Sequence, residues 1–328
     1  MVKAEIQIAL AIGRQYAKTT LHSYYVNLPE DILQTYYDQI KNATSLADID
    51  KIVKEAKNAF NDRPHFVVGE KWYLVTKREN YEYNHMADYT SGSIYIQDGV
   101  RYESDSQIFL TQGEIEFTRT LPEGVWQCWY EPFEVEVDNE KFDAAEVAGI
   151  LFNAQGETVV AFNKLENGAE MQANTVYVIR AKEGQGNLKI KAKRIYLKQS
   201  EETKLTIQSA YEVFTLTGNY SPKEHGDWYT LDKTGTFCQM ANGSLKPQRF
   251  YMTITPRKDT YYPKKHAASA QPFIRMTVLG DDDDMTGIEA LPESQEGKNV
   301  IYNLNGQRVA DIQRGEMYIV NGKKYMAK

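Results

Sequence analysis

The sequence predicts an α+β protein: an N-terminal three-helix bundle, then a mostly antiparallel β-sandwich, then a C-terminal β-hairpin segment. Two observations carry this. Apolar residues recur with a helical period up to about residue 62, and from Arg63 onward they alternate with a period of two. The second is composition, with 23 tyrosines and 21 glycines among 328 residues, which suits many short strands and turns. Length alone suggests roughly two domains. The division read here is 1–62 helical, 63–280 β-rich, 281–297 an acidic linker, and 298–328 a terminal β segment.

The first helix is read from about Lys3 to Tyr24. Its apolar run Ile6–Ile12 falls far short of the ~20 residues a membrane span needs. Glu5 and the lack of a cleavage site argue against a signal peptide, so an export signal would lie upstream, replaced here by Met1. The second helix opens on Pro29, Glu30 and Asp31, which suit a first turn, and turns Ile32, Leu33, Tyr36 and Ile40 inward. The third begins at a cap in Ser45-Leu46-Ala47-Asp48 and places Ile49, Ile52, Val53, Ala56 and Phe60 on one face. With the phrase Ala43-Thr44-Ser45-Leu46-Ala47-Asp48-Ile49, this unit resembles the small extracellular three-helix modules of the FIVAR and GA type.

Beyond Pro64, short alternating runs read as strands separated by glycine or polar turns, among them 71–75, 93–96, 114–118, 125–130, 175–181, 188–196, 211–216, 249–255 and 273–279. With no helices interleaved, they point to a sandwich. An internal echo aligns Met171–Tyr177 with Leu245–Tyr251. It reads either as a repeated turn-plus-strand entering two sheets equivalently or as the common look of any turn before a Tyr-rich strand. The run Asp281–Asp284 lacks the ligand spacing of a calcium loop and reads as a solvated linker. After it, Asn305-Gly306 and Asn321-Gly322 mark hairpin turns.

Charge and motifs narrow the function. A net charge of −7 argues against nucleic-acid binding, which needs a basic face. Two cysteines exclude a disulfide scaffold and a four-cysteine zinc site, and Cys128 and Cys238 read as unpaired thiols within the β region. Glu224-His225-Gly226-Asp227 reads as a surface loop, and His22, His65, His85 and His266 have no partner at informative spacing. Trp126, Trp129 and Tyr130 are the candidate ligand-binding aromatics, although strand alternation puts Trp126 and Trp129 on opposite faces, so that core packing is expected for at least one. No catalytic motif, cofactor-binding loop or metal-ligand set stands out, so no catalytic residue or cofactor is assigned.

The tail Val300-Ile301-Tyr302-Asn303-Leu304-Asn305-Gly306-Gln307-Arg308-Val309, with Gly315, Tyr318–Lys324 and Lys328, resembles the C-terminal sorting domain of Bacteroidetes type IX secretion cargo. Ile96–Tyr102, Phe117–Thr120, Trp126–Phe133 and Ala173–Ala181 resemble a β-rich module of the surface proteins of these bacteria. Gly315 and Tyr318 stand one residue further apart than is usual in that family. The resemblance implies a non-catalytic protein of the extracellular space or outer-membrane surface with a structural or adhesion role. Implied partners are a host or cell-surface protein or glycan and, through the tail, the export machinery. A carbohydrate-binding module is the alternative, and a hydrolase comes third.

Overall fold

A computed structural model describes residues 2–77, 86–89, 92–111, 113–152, 157–193, 195–209, 211–240, 242–257, 273–281, 301–303, 317–320 and 323–326. It is α+β, with three helices followed by strands. Helix α1 spans Val2–Tyr24, α2 Glu30–Asn42 and α3 Leu46–Asn61. The Ser45 hydroxyl accepts from the Asp48 backbone N–H at 3.1 Å, the predicted cap. Leu10, Leu21, Leu33, Ile40, Ile49, Ala56 and Phe60 form the bundle core. None of the described helices is long and apolar enough to cross a membrane.

The bundle is seated on the β region through aromatic contacts. The Val26 N–H donates to the Trp72 carbonyl at 2.9 Å, and the Asn27 side chain exchanges two hydrogen bonds with the Leu74 backbone. Tyr24 stacks on Trp72 and Tyr25 packs edge-on against Phe60 and His65. Three residues separate α3 from the first strand, His65–Val68, so the change of period near Pro64 coincides with a packed junction.

Most strands belong to one ten-stranded sheet. Its order is 204–208, 212–219, 249–256, 229–231, 237–239, 273–279, 158–164, 142–152, 177–181 and 127–129. Pairing is antiparallel except where Thr158–Lys164 meets Phe273–Leu279. The sheet curls: the edge strand Gln127–Trp129 reaches back to its interior, where the Gln127 amide donates to the Asp232 carbonyl and the Cys128 thiol to the Phe250 carbonyl. Smaller sheets of two to four strands complete the β region, and two of them also contain parallel pairs. The β region is thus one large curled sheet with smaller sheets beside it, within the α+β class that the sequence predicts.

That sheet is a structural duplication. On one side of Phe273–Leu279 stand Thr158–Lys164, Phe142–Phe152, Tyr177–Ala181 and Gln127–Trp129, and on the other Phe237–Gln239, Tyr229–Leu231, Arg249–Pro256 and Glu212–Asn219, with the same connectivity. Each half adds a short strand pair at the same place, Val135–Glu136 with Glu170–Met171 and Lys223–Glu224 with Ser244–Leu245. The echo in the sequence falls on equivalent turns. Asn174 and Gln248 are the described non-glycine residues with positive φ, 54° and 63°. Their N–H groups donate to equivalent acceptors, Glu131 O at 2.9 Å and Asn219 O at 2.8 Å. The repeated units enter one sheet from opposite sides rather than two sheets.

In the tail, Ile301–Asn303, Met317–Val320 and Lys323–Met326 pair antiparallel, with Val320 opposite Lys323. Both Asn-Gly dipeptides, residues 282–297 of the acidic linker, His85 and His266 lie outside the described residues.

Candidate functional site

A hollow of about 930 Å³ opens beside the first half of the duplication. Strand register builds it. Asp143 lies opposite Arg180 across the pair Phe142–Phe152/Tyr177–Ala181, and Lys164 follows on the next strand. After Phe273–Leu279, Gly280 at φ +86° turns the chain so that Asp281 faces the same cations. Such a backbone is natural for glycine, which has no Cβ to clash.

Two of the four carboxylates that line the hollow, Asp143 and Asp281, are paired with cations. The Asp143 side chain is 1% exposed and contacts Lys182 at 2.7 Å, Arg180 at 2.8 Å and Lys164 at 3.4 Å. Arg180 Nη1 lies 2.8 Å from Asp281 Oδ2, and Nη2 donates to Oδ1 at 2.9 Å. Burial pushes the Asp143 carboxyl upward, but hydrogen bonds from Lys182 and Arg180, with the Lys164 charge, together hold it below the ordinary carboxylate range. For Arg180, burial works against the charge, and the hydrogen bonds of Asp143 and Asp281 more than offset it. The Arg180 guanidinium lies 4.7 Å over the Trp126 ring. Comparison with protein families, curated proteins and solved structures gives no match. The geometry must therefore speak for itself, and it is that of a braced ionic network on an aromatic plate.

The predicted aromatics are dispersed. All three are buried: Trp126, 8% exposed, lines the hollow beneath Arg180, Trp129 packs edge-on against Phe117, and Tyr130 lies beside Tyr220. Glu224, His225 and Asp227 lie in and beside an exposed turn near Trp228, and no metal-binding cluster of three His, Cys, Asp or Glu occurs among the described residues. Both cysteines are free thiols, Cys128 buried and Cys238 half-buried beside Asp232.

Of the polar residues that matter, the sequence marks Asp281 only as the start of a solvated linker, whereas its side chain is 4% exposed and paired, and it does not single out Asp143 or Arg180. Asp143 sits in Phe142-Asp143-Ala144-Ala145, a stretch without alternation that was not read as a strand because both of its faces are buried. A charge inside an apolar strand, as in Val178-Ile179-Arg180-Ala181, was the available signal, since such a charge needs a partner in space.

A second buried network holds the satellite strands to the repeat turns. Arg249 Nη2 lies 2.7 Å from Asp98 Oδ1, and Arg119 Nε 3.3 Å from the same oxygen. The buried Gln248 amide accepts from Gly99 N–H and donates to Val100 O. Glu131 is buried beside this network, and neither carboxylate oxygen has a hydrogen-bond partner among the described residues. Burial raises its carboxyl well above the usual range against the attraction of Arg119 and Arg249. Burial and then repulsion from Arg249 lower Arg119 to about 10.

A raised native value means that the folded chain keeps a proton which the unfolded chain releases. Stability from this group is therefore complete below the unfolded glutamate value of about 4.3 and declines as pH rises toward the native one. Glu131→Gln should gain on the wild type in denaturant midpoint between pH 5 and pH 8. A variant that loses ground over that range would mean that Glu131 is ionised and paired with Arg119.

Proposed function

We propose that this is a non-catalytic, exported, surface-associated protein with a structural or adhesion role, whose tail engages an export machinery. The observation that carries the reading is the pairing of Asp143 and Asp281 in the hollow beside Trp126. General acid or base catalysis needs a carboxyl group free to exchange a proton near neutral pH. Asp143 is instead held ionised by three cations, and Asp281 is shared between Lys164 and Arg180. A sugar platform needs an open aromatic face, whereas that of Trp126 carries Arg180, and Trp129 and Tyr130 are in the core. These features support architecture over hydrolysis or glycan stacking. The sequence resemblance supports the surface and the export route.

The test is made in the native host. Full-length protein should be digested by protease added to intact cells. Deleting residues 298–328 should leave the melting temperature of the remainder unchanged and trap it in the periplasm. Surface delivery that persists after deletion removes the export role. Release of reducing ends from a polysaccharide panel by purified protein removes the non-catalytic reading.

A further inference from the structure

Helix α1 carries two apolar stripes, and its own bundle uses one. Leu10, Ala17 and Leu21 are buried against α2 and α3. Ile8, Ile12 and Tyr16 recur at i, i+4 and i+8 on the opposite side, 61%, 65% and 75% exposed. Ala4, Ala9 and Ala11 are exposed around them, and residues 6–13 contain no charged side chain. Single exposed apolar residues are ordinary, but a contiguous stripe of several hundred Å² marks an interaction site.

We infer that this face is the interface between two copies of the chain, packed antiparallel about a two-fold axis through Ile12. Two arguments select a second copy. The stripe is self-complementary about its midpoint: with Ile12 on the axis, Ile8 of each copy meets Tyr16 of the other, and Glu5 meets the neutral Thr19. The i, i+4 ridge also suits helix pairing in which like ridges interdigitate. Two such stripes make a small interface, at the low end of the sizes that specific contacts bury.

The full-length chain should sediment at twice 37.6 kDa at ~100 μM and dissociate on dilution, as a small interface requires. Ile12→Glu sets like charges against each other on the axis and should weaken association at least tenfold, leaving the melting temperature of the dilute protein unchanged because the side chain is exposed. Ile12→Cys should form an intermolecular disulfide under mild oxidation, and Gln7→Cys, off the stripe, should not. A wild type that is monomeric at ~100 μM overturns the proposal, as does a dimer indifferent to Ile12→Glu. So does a monomer that floats with phosphatidylglycerol vesicles and loses that binding in Ile12→Glu, which would make the stripe a membrane face.

Discussion

Gly218→Ala should destabilise the protein by more than about 3 kcal/mol, beyond the usual range for overpacking a core. Gly218 lies in the strand Glu212–Asn219, and a Cβ there would overlap Cε2, Cζ and Cδ2 of the Tyr130 ring. The ring cannot swing aside. Its hydroxyl donates to the Glu201 carbonyl and accepts from Thr203 N–H at 3.0 Å, and Tyr220 packs 4.8 Å away. The overlap falls where the two halves of the duplication meet, because Tyr130 follows the strand Gln127–Trp129 of one half and Gly218 belongs to the other. Tyr130→Ala should itself destabilise by leaving a cavity, but in that background Gly218→Ala should cost far less than in the wild type. Thermal unfolding of the two single variants and the double variant measures this. Additive losses would mean that Gly218 serves its own backbone and does not make room for Tyr130.

Asp143→Ala should cost about 3 kcal/mol at neutral pH, the lower part of the range for breaking a buried ion pair. It leaves Arg180, Lys164 and Lys182 converging on an apolar stub. Lys182 and Lys164 keep 36% and 26% of their side-chain surface and can rehydrate, which holds the cost down. The depressed native carboxyl makes this stabilisation complete above the unfolded aspartate value of about 3.9 and lost as pH falls through the lower native value. The difference between wild type and variant should therefore be level from pH 8 to pH 5 and shrink below about pH 4. A difference that is absent at pH 7 would mean that Asp281 alone satisfies Arg180 and Lys164.

The helices were legible because they are local. Ser45 caps α3 through Asp48, and the face Ile49, Ala56 and Phe60 follows from a 3.6-residue period that needs no knowledge of the partner surface. Strands with one covered face were legible for the same reason: Glu114–Thr120 alternates, with Ile115, Phe117 and Arg119 inside. The longest of the described strands, Phe142–Phe152, was not, because its first four residues are buried on both faces and carry neither alternation nor β-branched residues.

The echo between Met171–Tyr177 and Leu245–Tyr251 was visible, and its meaning was not. Only the pairing of Tyr177 with Trp129 and of Tyr251 with Thr217, with both halves joined through Phe273–Leu279, sets the two turns at equivalent places in one sheet. The charged networks were the least legible part. Asp98 meets Arg249, and Arg180 meets Asp281, over separations of 151 and 101 residues. A sequence shows that a charge lies in an apolar strand and so needs a partner. Which partner it finds depends on strand register and on the curl of the sheet, which long-range packing decides.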